Sequence, residues 1–189
     1  MGTTLMHRLQ ARKTLDPAAV HRLAVDLGAG LRFLHDRDLV HGDVSAASAY
    51  FDELERAVWG NSVLFQGVAA IAKRQSHGET SSRSGTVSVS DDWVAFGFLC
   101  LEAALGTSET ANLPLNADGL PTLPKQVTTS LLGQFSDACL RAAPGSLQAV
   151  RTHAYLQADI NPEPDLESLF RPAGRNSSTT RLASKHYSR

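Results

Sequence analysis

The sequence predicts a mainly α-helical domain with one small β-hairpin, and three observations predict it. Val20, Leu23, Ala24, Leu27, Leu31 and Leu34 recur at helical spacing. Residues 92–105 are apolar nearly all the way round, the mark of a helix buried on most sides. The short apolar runs Ala49-Tyr50-Phe51 and Ala57-Val58-Trp59 flank the charged Asp52-Glu53-Leu54-Glu55-Arg56, a pattern of two strands joined by a turn.

Each element follows in order. Leu5, Met6 and Leu9, interleaved with Arg8, Arg12 and Lys13, predict a short amphipathic helix beginning almost at Met1. Asp16-Pro17 is a helix start, an acidic cap before a proline whose missing N–H would have no partner there anyway. The long helix that follows delivers the chain to His41. Residues 75–90, rich in Ser, Thr and Gly, predict a surface loop. The buried helix from Asp92 to Leu105 stops at Gly106, and residues 112–129, with Pro114, Pro121 and Pro124, predict an irregular connection. Leu131, Leu132, Phe135, Cys139 and Leu140 mark another amphipathic helix ending near Pro144, and a last short helix is expected from about Leu147 to Leu156. Beyond Asn161 the chain turns Pro-rich and then Ser/Thr-rich, with Arg171, Arg175, Arg181, Lys185 and Arg189 and no acid after Glu167. The expected division is a folded domain over residues 1–156 and a disordered basic tail over 157–189.

Composition narrows the function classes. At 189 residues, 42% apolar and a formal charge of −1, the chain can bury one core and carries no field that would attract nucleic acid. The seven histidines and two cysteines show no metal-ligand spacing, and Cys100 lies in an apolar run where a thiol packs as a small hydrophobe, so neither a structural metal nor a disulfide is expected. No stretch reaches the ~18–20 apolar residues of a membrane span, and no basic lead into an apolar run marks a signal peptide. These features point to a soluble chain in a reducing, cytoplasmic compartment, with neither membrane nor nucleic acid as a partner.

One stretch carries a motif. Leu34-His35, three residues, Leu39-Val40, His41-Gly42-Asp43-Val44-Ser45, two residues, Ser48, then Ala49-Tyr50-Phe51-Asp52 resembles the protein-kinase catalytic loop. That loop runs Leu-His, three residues, an aliphatic pair, His-Arg-Asp-Leu-Lys, two residues, Asn, three apolar residues and Asp. His35, His41, Asp43 and Asp52 fall in register without a gap. Gly42 stands at the arginine position, Ser45 at the lysine position and Ser48 at that of the metal-binding asparagine. Counting on, Gly60-Asn61-Ser62-Val63 reaches the place of Asp-Phe-Gly and the residue before it, with Asn61 in place of the magnesium-binding aspartate. A rival register at Phe65-Gln66-Gly67 needs an insertion and also lacks the acid. His77-Gly78-Glu79 stands near the place of Ala-Pro-Glu, and Asp92 to Gly97 is similar to the Asp-Val-Trp-Ser-Phe-Gly start of the family's central helix. Residues 139–144 and 153–156 resemble the last two helices. Leu147 replaces the arginine that pairs with the glutamate, so Glu79 is expected to be exposed.

The resemblance implies a kinase-like helical C-lobe over about residues 5–156, without the N-lobe whose glycine-rich loop, strand lysine and helix glutamate grip ATP. Asp43 is the candidate proton acceptor. Its bland alternative is a loop carboxylate that hydrogen-bonds nearby backbone. The degenerate magnesium positions are Ser48 and Asn61. Replacing an aspartate by Asn61 forfeits about 4 kcal/mol for each unit of the cation's charge at 4 Å and an effective dielectric of 20, at least about three decades in affinity or rate. With Gly42, a phosphate on the 75–90 loop has lost its usual reader, although Thr80, Ser81, Ser82, Ser84 and Thr86 remain candidate acceptors. His41 is expected to pack and bond backbone, His35 to end its helix favourably against the helix dipole, and Trp93, Phe96 and Phe98 to fill the core.

The expected function is therefore a pseudokinase-type interaction module with a protein partner, or a truncated kinase product. No cofactor is assigned, and Mg-ATP is expected only where activity is retained. Two alternatives stay open. One is a fragment of an active ATP-dependent protein Ser/Thr kinase. The other is a small-molecule phosphotransferase of the aminoglycoside-kinase type, whose loop also reads His-Gly-Asp but keeps an asparagine and an aspartate where this chain has Ser48 and Asn61.

Overall fold

The structure, a computed structural model, describes residues 3–60, 87–117 and 119–157. The first helix, α1 (Leu5–Arg12), starts at Thr4, whose hydroxyl accepts from the His7 N–H, so it begins four residues inside the chain. The second, α2 (Pro17–His35), opens as its sequence requires: the Asp16 carboxylate accepts from Ala19 N at 2.9 Å and Pro17 follows. Its apolar stripe, Val20, Leu23, Ala24, Leu27 and Leu31, is fully buried.

Strands β1 (Ala49–Phe51) and β2 (Ala57–Trp59) form the expected antiparallel hairpin, with Tyr50 opposite Val58. Two bonds dock it on α2. Trp59 Nε1 donates to Leu27 O at 2.8 Å, and Ala57 N donates to Asp26 Oδ2 at 2.9 Å. The indole lies across Gly30, where a Cβ would stand 2.7 Å from its ring.

Helix α3 (Val89–Leu105) is the centre of the core, with Trp93, Phe96, Leu99, Cys100 and Leu101 at 0–1% exposure. Burial of each large apolar side chain contributes about 1.5–3 kcal/mol. Phe98, in contrast, is only partly buried at the edge of the cluster. The helix begins three residues before the expected Asp92, because Ser88 and Asp91 close a reciprocal capping box, so the preceding loop ends at Ser88. Helix α3 packs mainly on α2 and on α6 (Leu131–Leu140). Gly97 permits the second approach: a Cβ there would lie 2.6 Å from Cys139 Cβ and 3.1 Å from Ser136 O.

The connection between α3 and α6 is more regular than expected. It contains α4 (Thr107–Ala111), an isolated bridge between Leu115 and Pro121, and the single turn α5 (Lys125–Thr128). The last predicted helix is broken: α7 (Leu147–Arg151) stops at Thr152, and a 3₁₀ turn (Ala154–Leu156) follows, capped by His153 Nδ1 on Tyr155 N. Aromatic packing of Tyr155 and His153 on Phe135 pulls that turn onto α6. His21 Nε2 meets Tyr155 O and Gln157 O at 3.0 and 3.1 Å, and Arg32 donates to Arg151 O at 3.0 Å, fastening the turn and α7 to α2. Both cysteines are free and buried; burial pushes both thiols up, more than the neighbouring thiol does for Cys139. Among the described residues, no helix is long and apolar enough to cross a membrane. The expected loop over residues 75–90 up to Thr86, the exposure of Glu79 and the tail beyond Gln157 lie outside the described residues.

Candidate functional site

The loop after α2 turns back beneath the first turn of α3, and Asp92 holds it there. The Asp92 carboxylate, 2% exposed as a residue, accepts from His41 N at 2.7 Å, from Gly42 N at 2.9 Å and from His35 Nε2 at 2.8 Å. It also sits at the N-terminal end of α3, where the helix dipole favours a negative charge. Charge-assisted bonds contribute about 1.5–3 kcal/mol each, whereas desolvating a carboxylate costs several. The two nearly cancel, so the gain from Asp92 is a defined loop position more than added stability.

Gly42 makes this double contact available. Its φ of +78° is a left-handed conformation that L side chains rarely adopt, while a Cβ there would meet nothing within 4 Å. Glycine is thus required by the backbone and not by crowding.

His41 is fully buried. Asp43 N donates to its Nδ1 at 3.3 Å, and its ring packs 4.7 Å from that of Trp59. Burial lowers its pKa below the usual histidine value, against the opposing pull of Asp92 and Asp43, and because Nδ1 accepts from Asp43 N the neutral ring carries its proton on Nε2. That Nε2, like Nδ1 of His35, is buried with no hydrogen-bond partner among the described residues. His35 ends α2 as expected, but its ring is engaged by Asp92 inside the core instead of merely facing the helix dipole.

The Asp43 carboxylate is half-buried and makes no hydrogen bond or ion pair among the described residues. The bland expectation, that it bonds nearby backbone to hold the loop, is therefore corrected. That task falls to Asp92 and Ser48. The Ser48 hydroxyl lies against the carbonyls of Asp43 and Ser45 and accepts from Ser45 N at 3.1 Å, buried at 5% exposure. Gly60 N donates to Ser48 O at 2.8 Å, so the hairpin brings residue 60 beside the loop; Asn61 lies outside the described residues. Among the described residues no cluster of three His, Cys, Asp or Glu stands in metal-binding proximity.

Asp92 was visible in the sequence only as the start of a helix. The clue to its role was its place, an acid opening an otherwise apolar buried segment. Comparison with protein-family models and with curated protein sequences finds no match to this chain.

Proposed function

We propose that this chain is a helical lobe of protein-kinase type that works as a non-catalytic interaction module for a protein partner. The observation that carries this reading is Ser48. At the position of the family's metal-binding asparagine, its hydroxyl is turned onto the carbonyls of Asp43 and Ser45, so it staples the loop where a kinase would hold a cation. The clasp of Asp92 on His41 and Gly42 supports the register of the resemblance, since it joins two segments that were matched to the family separately.

The test is thermal unfolding of the purified chain with and without Mg-ATP, because a ligand that binds only the folded state must raise its stability. A cooperative transition at an unchanged midpoint is expected. A magnesium-dependent rise would overturn the non-catalytic reading. The Asp43 carboxylate, without a hydrogen bond among the described residues, favours a second reading, in which it still accepts a proton from a substrate hydroxyl and the nucleotide grip comes from elsewhere. In that case the magnesium-dependent rise appears, and phosphoryl transfer disappears in Asp43→Asn without loss of folding.

A further inference from the structure

A cleft of about 140 Å³ opens between α1, the start of α2 and the hairpin turn, on a different part of the molecule from Asp43. Its apolar wall includes Leu15, Leu23 and Phe51, and Arg8, Arg12 and Arg22 surround it. The Arg8 guanidinium sits over the Phe51 ring, 3.7 Å from its centre, and grips Glu55 through Nη1 and Nη2 at 2.5 and 2.9 Å. Asp16 is committed to capping α2. Arg12 and Arg22 are exposed and form no ion pair among the described residues.

Glu55 is the unusual member. Asp52 N donates to Arg56 O at 3.0 Å, leaving a three-residue loop whose last position is left-handed, a place normally filled by glycine. Here it is Glu55, at φ +59°. A glutamate kept in a conformation that disfavours it points to a use for its side chain. Hydrogen bonding to Arg8 holds its carboxyl below the usual range, with weaker help from the charges of Arg8, Arg12 and Arg22. The pair is open to water, 69% exposed on the Glu55 side, and such pairs are weakly held.

We propose that the cleft of Arg8, Arg12 and Arg22 is a docking site for an acidic peptide segment of a protein partner, with Glu55 as an internal stand-in that the partner's carboxylate displaces. The size of the cleft favours one side chain over a nucleotide, since pockets for drug-sized ligands run to about 300–1,000 Å³. Its lining is more polar than apolar, with Leu23 and Phe51 buried beneath it, which suits the carboxylate of an acidic residue. Opposite charge supplies selectivity against basic partners. The inference rests on the interaction-module reading, but its readout involves no nucleotide, so either can fail alone.

The experiment is fluorescence anisotropy of the full chain with a labelled hexapeptide alternating glutamate and leucine, against the same peptide with glutamine for glutamate. Binding of the acidic peptide alone is expected. The double variant Arg12→Ala with Arg22→Ala should weaken it about 10-fold or more. Arg37→Ala with Lys125→Ala, which removes the same charge elsewhere, should leave it within about 2-fold, whereas added salt should weaken it, as for any exposed charge contact. Glu55→Gly vacates the cleft and suits the left-handed backbone, so binding should tighten by about 3- to 10-fold. Equal binding of both peptides, equal loss in the two double variants, or weaker binding by Glu55→Gly overturns the proposal, and the melting midpoint of each variant shows that it is folded.

Discussion

Two charged sites in this molecule use the same groups to opposite ends. Around Asp92, one carboxylate and two histidines are sealed in the core, and every oxygen of the acid is bonded. Around Glu55, two carboxylates, its own and that of Asp16, and three arginines line an open cleft at the surface. In the first the low dielectric makes each bond strong and each omission costly. In the second the solvent screens the charges, so partners exchange at little cost. The buried site is suited to fixing a loop, and the exposed one to meeting another molecule.

Asp92 carries the largest expected effect. Asp92→Ala strands the His41 N–H and the His35 ring in the core, frees the Gly42 N–H, and is expected to cost about 3–5 kcal/mol, read as a lower urea midpoint. A loss below ~1 kcal/mol would mean that the loop finds other partners. Ser48→Ala removes the hydroxyl that bonds the Asp43 and Ser45 carbonyls and receives the Ser45 N–H, and about 1–2 kcal/mol should go with it.

Acid should separate the two sites by pH. Burial lowers the pKa of His41 and of His153 below the usual 6.5, so the unfolded chain binds more protons than the folded one once the pH falls under that value. Their contribution is fully present above pH 6.5 and is lost as the pH falls from there through the folded-state values. Asp52 and Glu55, held below their usual values chiefly by hydrogen bonds with Arg56 and Arg8, act only in the acid range beneath pH 4.5. Urea midpoints from pH 7.5 to 3 should show two separate declines. His41→Asn with His153→Asn, in which an amide oxygen can replace each Nδ1 acceptor, should remove the first and keep the second. The smallest change is expected for Glu55→Gly: the ion pair is lost but the left-handed backbone is relieved, and the thermal midpoint should hold or rise slightly. A clear fall would place Glu55 among the structural residues and undo the contrast with Asp92.

Much of the fold was legible because it depends on local rules. The Asp16-Pro17 start, the stripe of α2 and the two strands with their turn are encoded within a few residues of where they act. The expected helix over Leu147–Leu156 is broken because its periodicity was local while the contacts that shape the break are not: Tyr155 stacks on Phe135 of the preceding helix and His153 packs tilted against the same ring. The site was legible as a motif and illegible as a network. Spacing singled out His41, Asp43 and Ser48, but nothing nearby in the chain announces that Asp92, 49 residues after Asp43, reaches back to the His41 and Gly42 amides.

By itself, then, the sequence determined a mainly helical chain with a hairpin, a buried central helix and a loop whose spacing resembles that of a kinase, since helical periodicity, caps and turn chemistry act over a few residues. Tertiary packing settles which acid holds that loop, that Ser48 faces inward, that Asp43 makes no hydrogen bond among the described residues, and that three arginines from two helices share a cleft with Glu55. Those outcomes depend on which distant groups share a desolvated space or a common cleft, and distance through space is set by packing, not by position along the chain.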